Sequence, residues 1–285
     1  MAAKKWTAFV HDGKGFNYAG AALKKNWPRL HAGDQEPYPD AKLIGEGLES
    51  VAVLKKILKG DAKAITAALE DAWRAFHAGE FQLACERGDA LGAFGAVVAT
   101  KASGIYATYL CQDETTKLAL LQAGAERCEA ALKLLPKWAN AHYFQAFALG
   151  RYSQGISITK ALAQGLGGKI KASLKTTLEL APKHAEAHTA MGMYHAEIIH
   201  KIGGMVGKLT YGASSDESIK HFETARKLTP KAPVAHLEYG KGLLLLHGKR
   251  KQDEAVDAFQ QATECEPCDA MEALDAAHAR EQFEA

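Results

Sequence analysis

Three histidines, His184, His188 and His195, recur at four- and seven-residue steps. On a helix those steps bring three imidazoles to one face, where they could ligate zinc or another transition metal and serve a metal-dependent enzyme. The order of residues does not fit the helical zinc-hydrolase signature, because Glu186 stands two residues after His184 instead of next to it. His188 also shares its place in a repeating pattern with His142 and His236, and a repeated position is more simply a packing choice. The expectation is therefore packing; metal ligation is the alternative, and no cofactor is expected.

Two further patterns invite chemistry. Cys265-Glu-Pro-Cys268 has the spacing of a redox pair or of half a zinc site. A second such pair is missing and no strand-rich segment precedes it, so a structural role is expected. Gly165-Leu-Gly-Gly-Lys169 and Gly203-Gly-Met-Val-Gly-Lys208 suggest phosphate loops, but neither completes the required motif. Ala163 and Ile202 stand where the distal glycines belong, and Ile170 and Leu209 replace Ser/Thr. Turn glycines are the better reading. Neither a nucleophile-elbow motif nor a clear Ser/His/Asp spacing appears, which lowers the expectation of an enzyme.

The charge pattern points to a binding surface. From Arg151 to Thr210 the net charge is +5, and from Arg250 to Ala285 it is −7, although the whole chain carries only +2. Lys160, Lys169, Lys171, Lys201 and Lys208 would receive an acidic tail or a phosphorylated segment if they share an edge. Aromatic residues do not alternate with them, so nucleic acid is not expected. The opposite charges of the two segments also allow head-to-tail pairing of copies.

Helices must position these residues. Alanine and leucine dominate and only eight prolines occur in 285 residues, a composition that favours helix. Residues 1–39 read as a partly irregular arm with a short helix near Tyr18–Trp27. Its Trp6, Phe9, Phe16 and Trp27 would pack on the body, since such side chains are costly to leave in water. Residues 40–124 read as helices. Leu43, Ile44, Leu48, Val51, Leu54 and Leu58 form one stripe, Asp61 is a candidate N-cap, and Ile65, Leu69, Trp73 and Phe76 form a second stripe. A long helix is expected from about Asp89 to Leu110, with small residues on one face. No signal peptide is read at Met1–Trp6, no apolar run is long enough to span a bilayer, and five cysteines without framework spacing suit a cytoplasmic protein.

Residues 125–285 carry an internal repeat. Pro136, Pro182, Pro230 and Pro267 each follow a buriable residue by eight positions and a small one (Ala131, Thr177, Ala225, Ala262) by five. Proline cannot continue a helix, so each should fall between helices. After the first three prolines come Ala141-His142, Ala187-His188 and Ala235-His236, then a small residue at Ala146, Gly192 or Gly240.

This pattern resembles the tetratricopeptide repeat (TPR), matched by Gly192, Gly240, Phe222, Ala225, Phe259, Ala262 and the four prolines. It departs from that motif in two ways. Histidine stands where an aromatic is usual, and the prolines are 46, 48 and 37 residues apart, against the usual ~34. Inserts at about 150–169 and 198–215 account for the longer spacings. Hairpins with Gly- and Lys-containing inserts followed by Ala-His, over about Ala125 to Pro267, resemble the regulator of microtubule dynamics family. That resemblance implies an all-α solenoid of TPR-like hairpins and adaptor function, in animals on microtubules and organelle membranes, with no catalytic residues. The expected function is a non-catalytic protein-interaction scaffold, with a TPR-like partner subunit of a solute transporter as a further alternative. The first helices of the repeats would expose Tyr143, Gln145, Tyr194, His195, Glu238 and Tyr239 to a partner protein.

Overall fold

A computed structural model describes residues 5–10, 15–51, 53–54 and 60–284 of the chain. Among them there is no strand, and the helices pack as TPR-like hairpins. They form two compact units, residues 1–28 with 36–155, and residues 29–35 with 156–285.

The first unit contains α1 (Ala22–Leu30, whose last two residues count with the second unit), α2 (Ala41–Ser50), α3 (Ala62–His77), α4 (Phe81–Asp89), α5 (Ala96–Tyr109), α6 (Glu114–Leu132) and α7 (Ala139–Gln154). From α2 to α4 and on to α7, each helix packs against the next. Asp61 caps α3 as expected, its side chain accepting from the Ala64 N–H at 2.9 Å. Ile65, Leu69, Trp73 and Phe76 are buried on that helix. In α2 only part of the expected stripe holds: Ile44 and Leu48 are buried and Leu43 is exposed, while Leu58 lies outside the described residues.

The long helix expected from Asp89 is broken. Gly92 takes a positive φ of 54°, which a right-handed helix does not contain, and a 3-10 turn at Gly92–Gly95 precedes α5; there Gly95 meets Gly88 so closely that an added Cβ would lie 2.0 Å from the Gly88 carbonyl oxygen. The small residues do admit a close neighbour: a Cβ on Gly88 of α4 would lie 2.9 Å from the Ala99 Cβ. Every residue from Ala96 to Ala107 is buried, so α5 is enclosed on all sides. The aromatic arm packs as expected where it is described. Trp6 stacks on Tyr106 at 4.2 Å, Phe9 lies edge-on to Phe81 at 6.3 Å, and Trp27 is buried beside Trp73.

The second unit contains α8 (Ile158–Ala163), α9 (Leu166–Leu180), α10 (Ala185–Ile202), α11 (Gly204–Tyr211), α12 (Ser215–Leu228), α13 (Pro233–His247), α14 (Gln252–Glu264) and α15 (Ala270–Glu284). Pairs α10–α12 and α13–α14 are the hairpins, and α15 closes the row against α14. The repeat prolines of both units fall between helices. The side chains eight residues before them (Cys128, Leu174, Phe222, Phe259) and five before them (Ala131, Thr177, Ala225, Ala262) are all buried. The inserts take the form of the short helices α8 and α11.

Glycines on one helix receive rings from another. A Cβ on Gly192 or Gly242 would lie 2.9 or 2.4 Å from the Phe222 ring, and one on Gly240 would lie 2.5 Å from the Phe259 ring. These rings join Leu237, Tyr239 and Leu243 in one core. In urea melts of the full chain, Phe222→Ala is expected to cost about 3–5 kcal/mol, from lost transfer energy plus a cavity. Gly242→Val is expected to cost about 1–3 kcal/mol by overpacking. The exposed control Leu43→Ser should stay within about 0.5 kcal/mol of wild type. A Phe222→Ala chain as stable as that control would refute this packing.

Candidate functional site

The repeated histidines act as clasps on the turns between helices. Nε2 of His142, His188 and His236 lies 2.9, 3.1 and 2.9 Å from the carbonyl oxygens of Pro136, Pro182 and Pro230, each six residues earlier. A carbonyl only accepts, so Nε2 carries the proton and donates. Nδ1 is then left as an acceptor. That of His236 accepts from Arg226 Nε at 3.3 Å, and that of His188 accepts from His221 Nδ1–H at 2.8 Å. Packing therefore explains the repeated position.

This arrangement corrects the metal alternative. His184 is fully buried as the N-cap of α10, with Nδ1 accepting from the Ala187 N–H at 3.0 Å. His188 has both nitrogens engaged, and His195 Nδ1 accepts from the Ser214 N–H at 3.3 Å. The helical spacing put the three on one face, but their hydrogen bonds point their nitrogens at different backbone and side-chain partners. Among the described residues no group of three His, Cys, Asp or Glu is placed to hold a metal ion. The partner that sequence spacing missed is His221 on α12, which pairs with His188 and stacks on His195 at 6.2 Å.

The residues expected to be exposed on the first helices are mostly not. Tyr143, Tyr194, His195, Glu238 and Tyr239 are buried, and Gln145 is half-buried. Helices in a stacked row meet neighbours on more than one side, so a residue off the hairpin seam is still covered. Tyr239 donates its hydroxyl to Glu254 and lies under the Arg226 guanidinium at 4.5 Å. Burial and that carboxylate push its pKa up to about 12. Glu238 faces Lys241 at 3.3 Å.

The insert lysines divide. Lys160, Lys169 and Lys208 are exposed. Lys171 donates to the Tyr211 carbonyl at 2.6 Å and so caps α11, while Lys201 pairs with Glu197 along α10 at 2.9 Å. Gly165 and Gly203 have positive φ values of 63° and 82° and begin α9 and α11, which is turn geometry. In Cys265-x-x-Cys268, burial raises both thiol pKa values, the opposite of what a reactive thiolate needs.

A shallow cleft of about 200 Å³ opens beside the turn between α12 and α13 in the second unit. Its apolar lining includes Leu30, Leu228, Val234 and Met271, and Glu186 and Lys231 contribute charge. Arg29 is held in place at the cleft, its two terminal nitrogens 2.6 and 2.7 Å from the Glu272 carboxylate. Glu272 also accepts from the Cys268 N–H at 2.9 Å, while Asp269 accepts from the Glu272 N–H at the start of α15. Gly33 brings its segment alongside, its carbonyl accepting from the Glu186 N–H at 3.0 Å. The cleft is smaller than the roughly 300–1,000 Å³ of ordinary small-molecule sites, and suits one or two side chains of a peptide. Sequence reasoning missed it because Arg29 and Glu272 are 243 residues apart.

The histidine group has a pH consequence. Burial is the largest cause holding His188, His195 and His221 below the ordinary 6.5. His221 is lowered to about 4, its two histidine neighbours and Lys220 adding to burial, and Glu217 opposing. Lys171 lowers His195 as well. The unfolded chain therefore takes up protons that the folded chain refuses. Stability present above pH 6.5 is lost as pH falls from there through about 4. Melts at pH 7 and pH 5 should differ by on the order of 1 kcal/mol from this group, allowing for solvent screening at the partly exposed His188 and His221. His221→Gln should shrink that difference, and an unchanged pH dependence in that variant would refute the assignment.

Among solved structures the chain is similar to TTC0263, a thermophilic TPR protein of Thermus thermophilus. The two share 14% identity with a TM-score of 0.54, over 76% of this chain and 98% of that one. It also matches the MamA protein at 16% identity and a TM-score of 0.39, over 71% and 91%. The likeness to TTC0263 shows a TPR-type fold. No curated protein sequence matches the chain. The family described as Regulator of microtubule dynamics protein 1-3 matches residues 96–284, well over half of the chain. Hairpins, inserts and repeat prolines all fall within that match, and the chain belongs to the regulator of microtubule dynamics protein 1-3 family.

Proposed function

We propose that this chain is a non-catalytic adaptor that binds a short segment of another protein at the cleft beside the α12–α13 turn. The cleft itself carries this reading: an apolar lining sized for a side chain, with charges fixed at its edge. Leu228 and Val234 would take an apolar anchor of the partner. Lys231 is exposed and would face a partner carboxylate. Arg29 and Glu272 satisfy each other, so the Arg29 guanidinium stays put and would not need to be reordered on binding. The histidines that would serve an enzyme are committed to turns and caps, which supports an adaptor over a catalyst.

Selection of displayed random peptides on the full-length protein tests this. Enriched peptides should share an apolar residue next to acidic ones and bind with Kd values of roughly micromolar strength, as one anchor residue permits. Leu228→Glu, at a position on the rim, should weaken them about tenfold or more without lowering the melting temperature. Peptides that bind Leu228→Glu as well as wild type, or a selection with no enrichment, would sink the reading.

A further inference from the structure

The first unit holds a segment of its own chain in the way a bound peptide is held. Residues 5–10 are neither helix nor strand. Trp6 and Phe9 are half-buried, while Lys5, Thr7, Ala8 and Val10 are exposed. The Trp6 ring lies on Tyr106 of α5 with an interplanar angle of 15°. The Phe9 ring enters a notch at Gly79, between α3 and α4, where an added Cβ would run into it, and it stands edge-to-face with Phe81 of α4. Gly79 has a φ of 84°, so a side chain there would strain the backbone as well as fill the notch.

Side chains of the body also hold the backbone of the arm. The Trp6 N–H donates to Gln82 Oε1 at 2.9 Å, and the Thr7 N–H donates to the Tyr106 hydroxyl at 3.3 Å. Gln82 gives its amide nitrogen to Glu86 at 3.0 Å, which turns its oxygen toward the arm. Every peptide carries backbone N–H donors, so these bonds orient an extended segment without choosing its sequence. Choice lies in the flat face of Tyr106 and the notch at Gly79, spaced for two rings three residues apart.

We propose that this groove of α3, α4 and α5 is a docking site for a segment of a partner protein with two aromatic residues three positions apart. The arm occupies it in cis until such a segment displaces it. One ring of the partner lies on Tyr106 and the other enters the Gly79 notch, while its N–H groups reach Gln82 and the Tyr106 hydroxyl. Ordering an otherwise solvated arm costs backbone entropy at each residue, and two half-buried rings offset it only narrowly, so the arm is exchangeable. A second copy of this chain is a poor occupant, because exchange of arms gains no contact and still costs association entropy. The groove differs in chemistry from the cleft beside the α12–α13 turn, which suits an aliphatic anchor next to acidic residues.

The test is fluorescence anisotropy of a labelled peptide with the arm's sequence, Lys5 to Val10, on the full-length protein. Trp6→Ala/Phe9→Ala empties the groove and leaves its walls intact. A tethered segment acts at a roughly millimolar effective concentration, so a peptide of about 0.1 mM intrinsic affinity meets about tenfold competition in wild type. The released variant should therefore bind the peptide about tenfold more tightly than wild type. Peptides with both rings replaced by alanine, or with the rings two or four residues apart, should bind neither protein. Gln82→Ala in the released background should weaken binding about threefold, and Leu228→Glu, in the cleft, should leave it unchanged. Thr7→Pro removes the N–H given to Tyr106 and releases the arm by a second route if the double variant lowers the melting temperature. It too should bind more tightly than wild type. The proposal is overturned if neither released variant binds better than wild type, or if the ring-free peptide binds as well as the arm's sequence. A wild-type dimer that Trp6→Ala/Phe9→Ala loses would overturn it in favour of arm exchange between copies.

Discussion

The ring of Phe222 sits against two glycines from two different helices, Gly192 on α10 and Gly242 on α13. That seating requires the backbones to come close, and closeness requires that neither glycine carry a Cβ. Phe259 repeats the device one hairpin later against Gly240. Once the rings are placed, the position of each second helix relative to the first is set, and the small residues three positions after the rings, Ala225 and Ala262, are buried. The intrinsic cost of glycine inside a helix, about 1 kcal/mol relative to alanine, is offset by burying a whole aromatic side chain.

The turns are held by a different means. A proline ends each helix by removing a donor, which leaves carbonyl groups near the turn without partners in the helix. The histidine six residues later returns to the proline carbonyl and fixes its own tautomer in doing so. The consequence reaches function. An imidazole whose Nε2–H is given to a turn and whose Nδ1 accepts from His221 or Arg226 has both ring nitrogens engaged within the fold. A His-rich sequence here belongs to a structural scheme.

Much of this fold was legible in the chain itself. Prolines at near-regular spacing, with a buriable residue eight positions before and a small one five before, report hairpin packing directly, because helix ends and close contacts each demand a residue type. Exposure was not legible from the same pattern. Tyr194 and His195 were expected at a surface, yet packing in a row covers them. Periodicity finds the face of a helix turned to its hairpin mate, but it cannot count the other neighbours. Nor can it pair Arg29 with Glu272 or find His221, since neither belongs to the repeat. The break before α5 escaped for a related reason: Gly88 and Gly95 look like tolerated small residues until their backbones are seen to touch.

The two inserts show how the hairpin design tolerates additions. In the α10–α12 hairpin the turn clasp lies at the proline end and the Phe222 ring sits midway along the helices, whereas α11 enters at the opposite connection. An insert there disturbs neither device, because the loss of closure entropy with a longer loop grows only slowly. Freed from packing constraints, α11 buries only Gly207, and its remaining composition answers to something other than the core. Were it merely a solvated connection, polar side chains would serve equally well and would not expose Met205 and Leu209 almost fully.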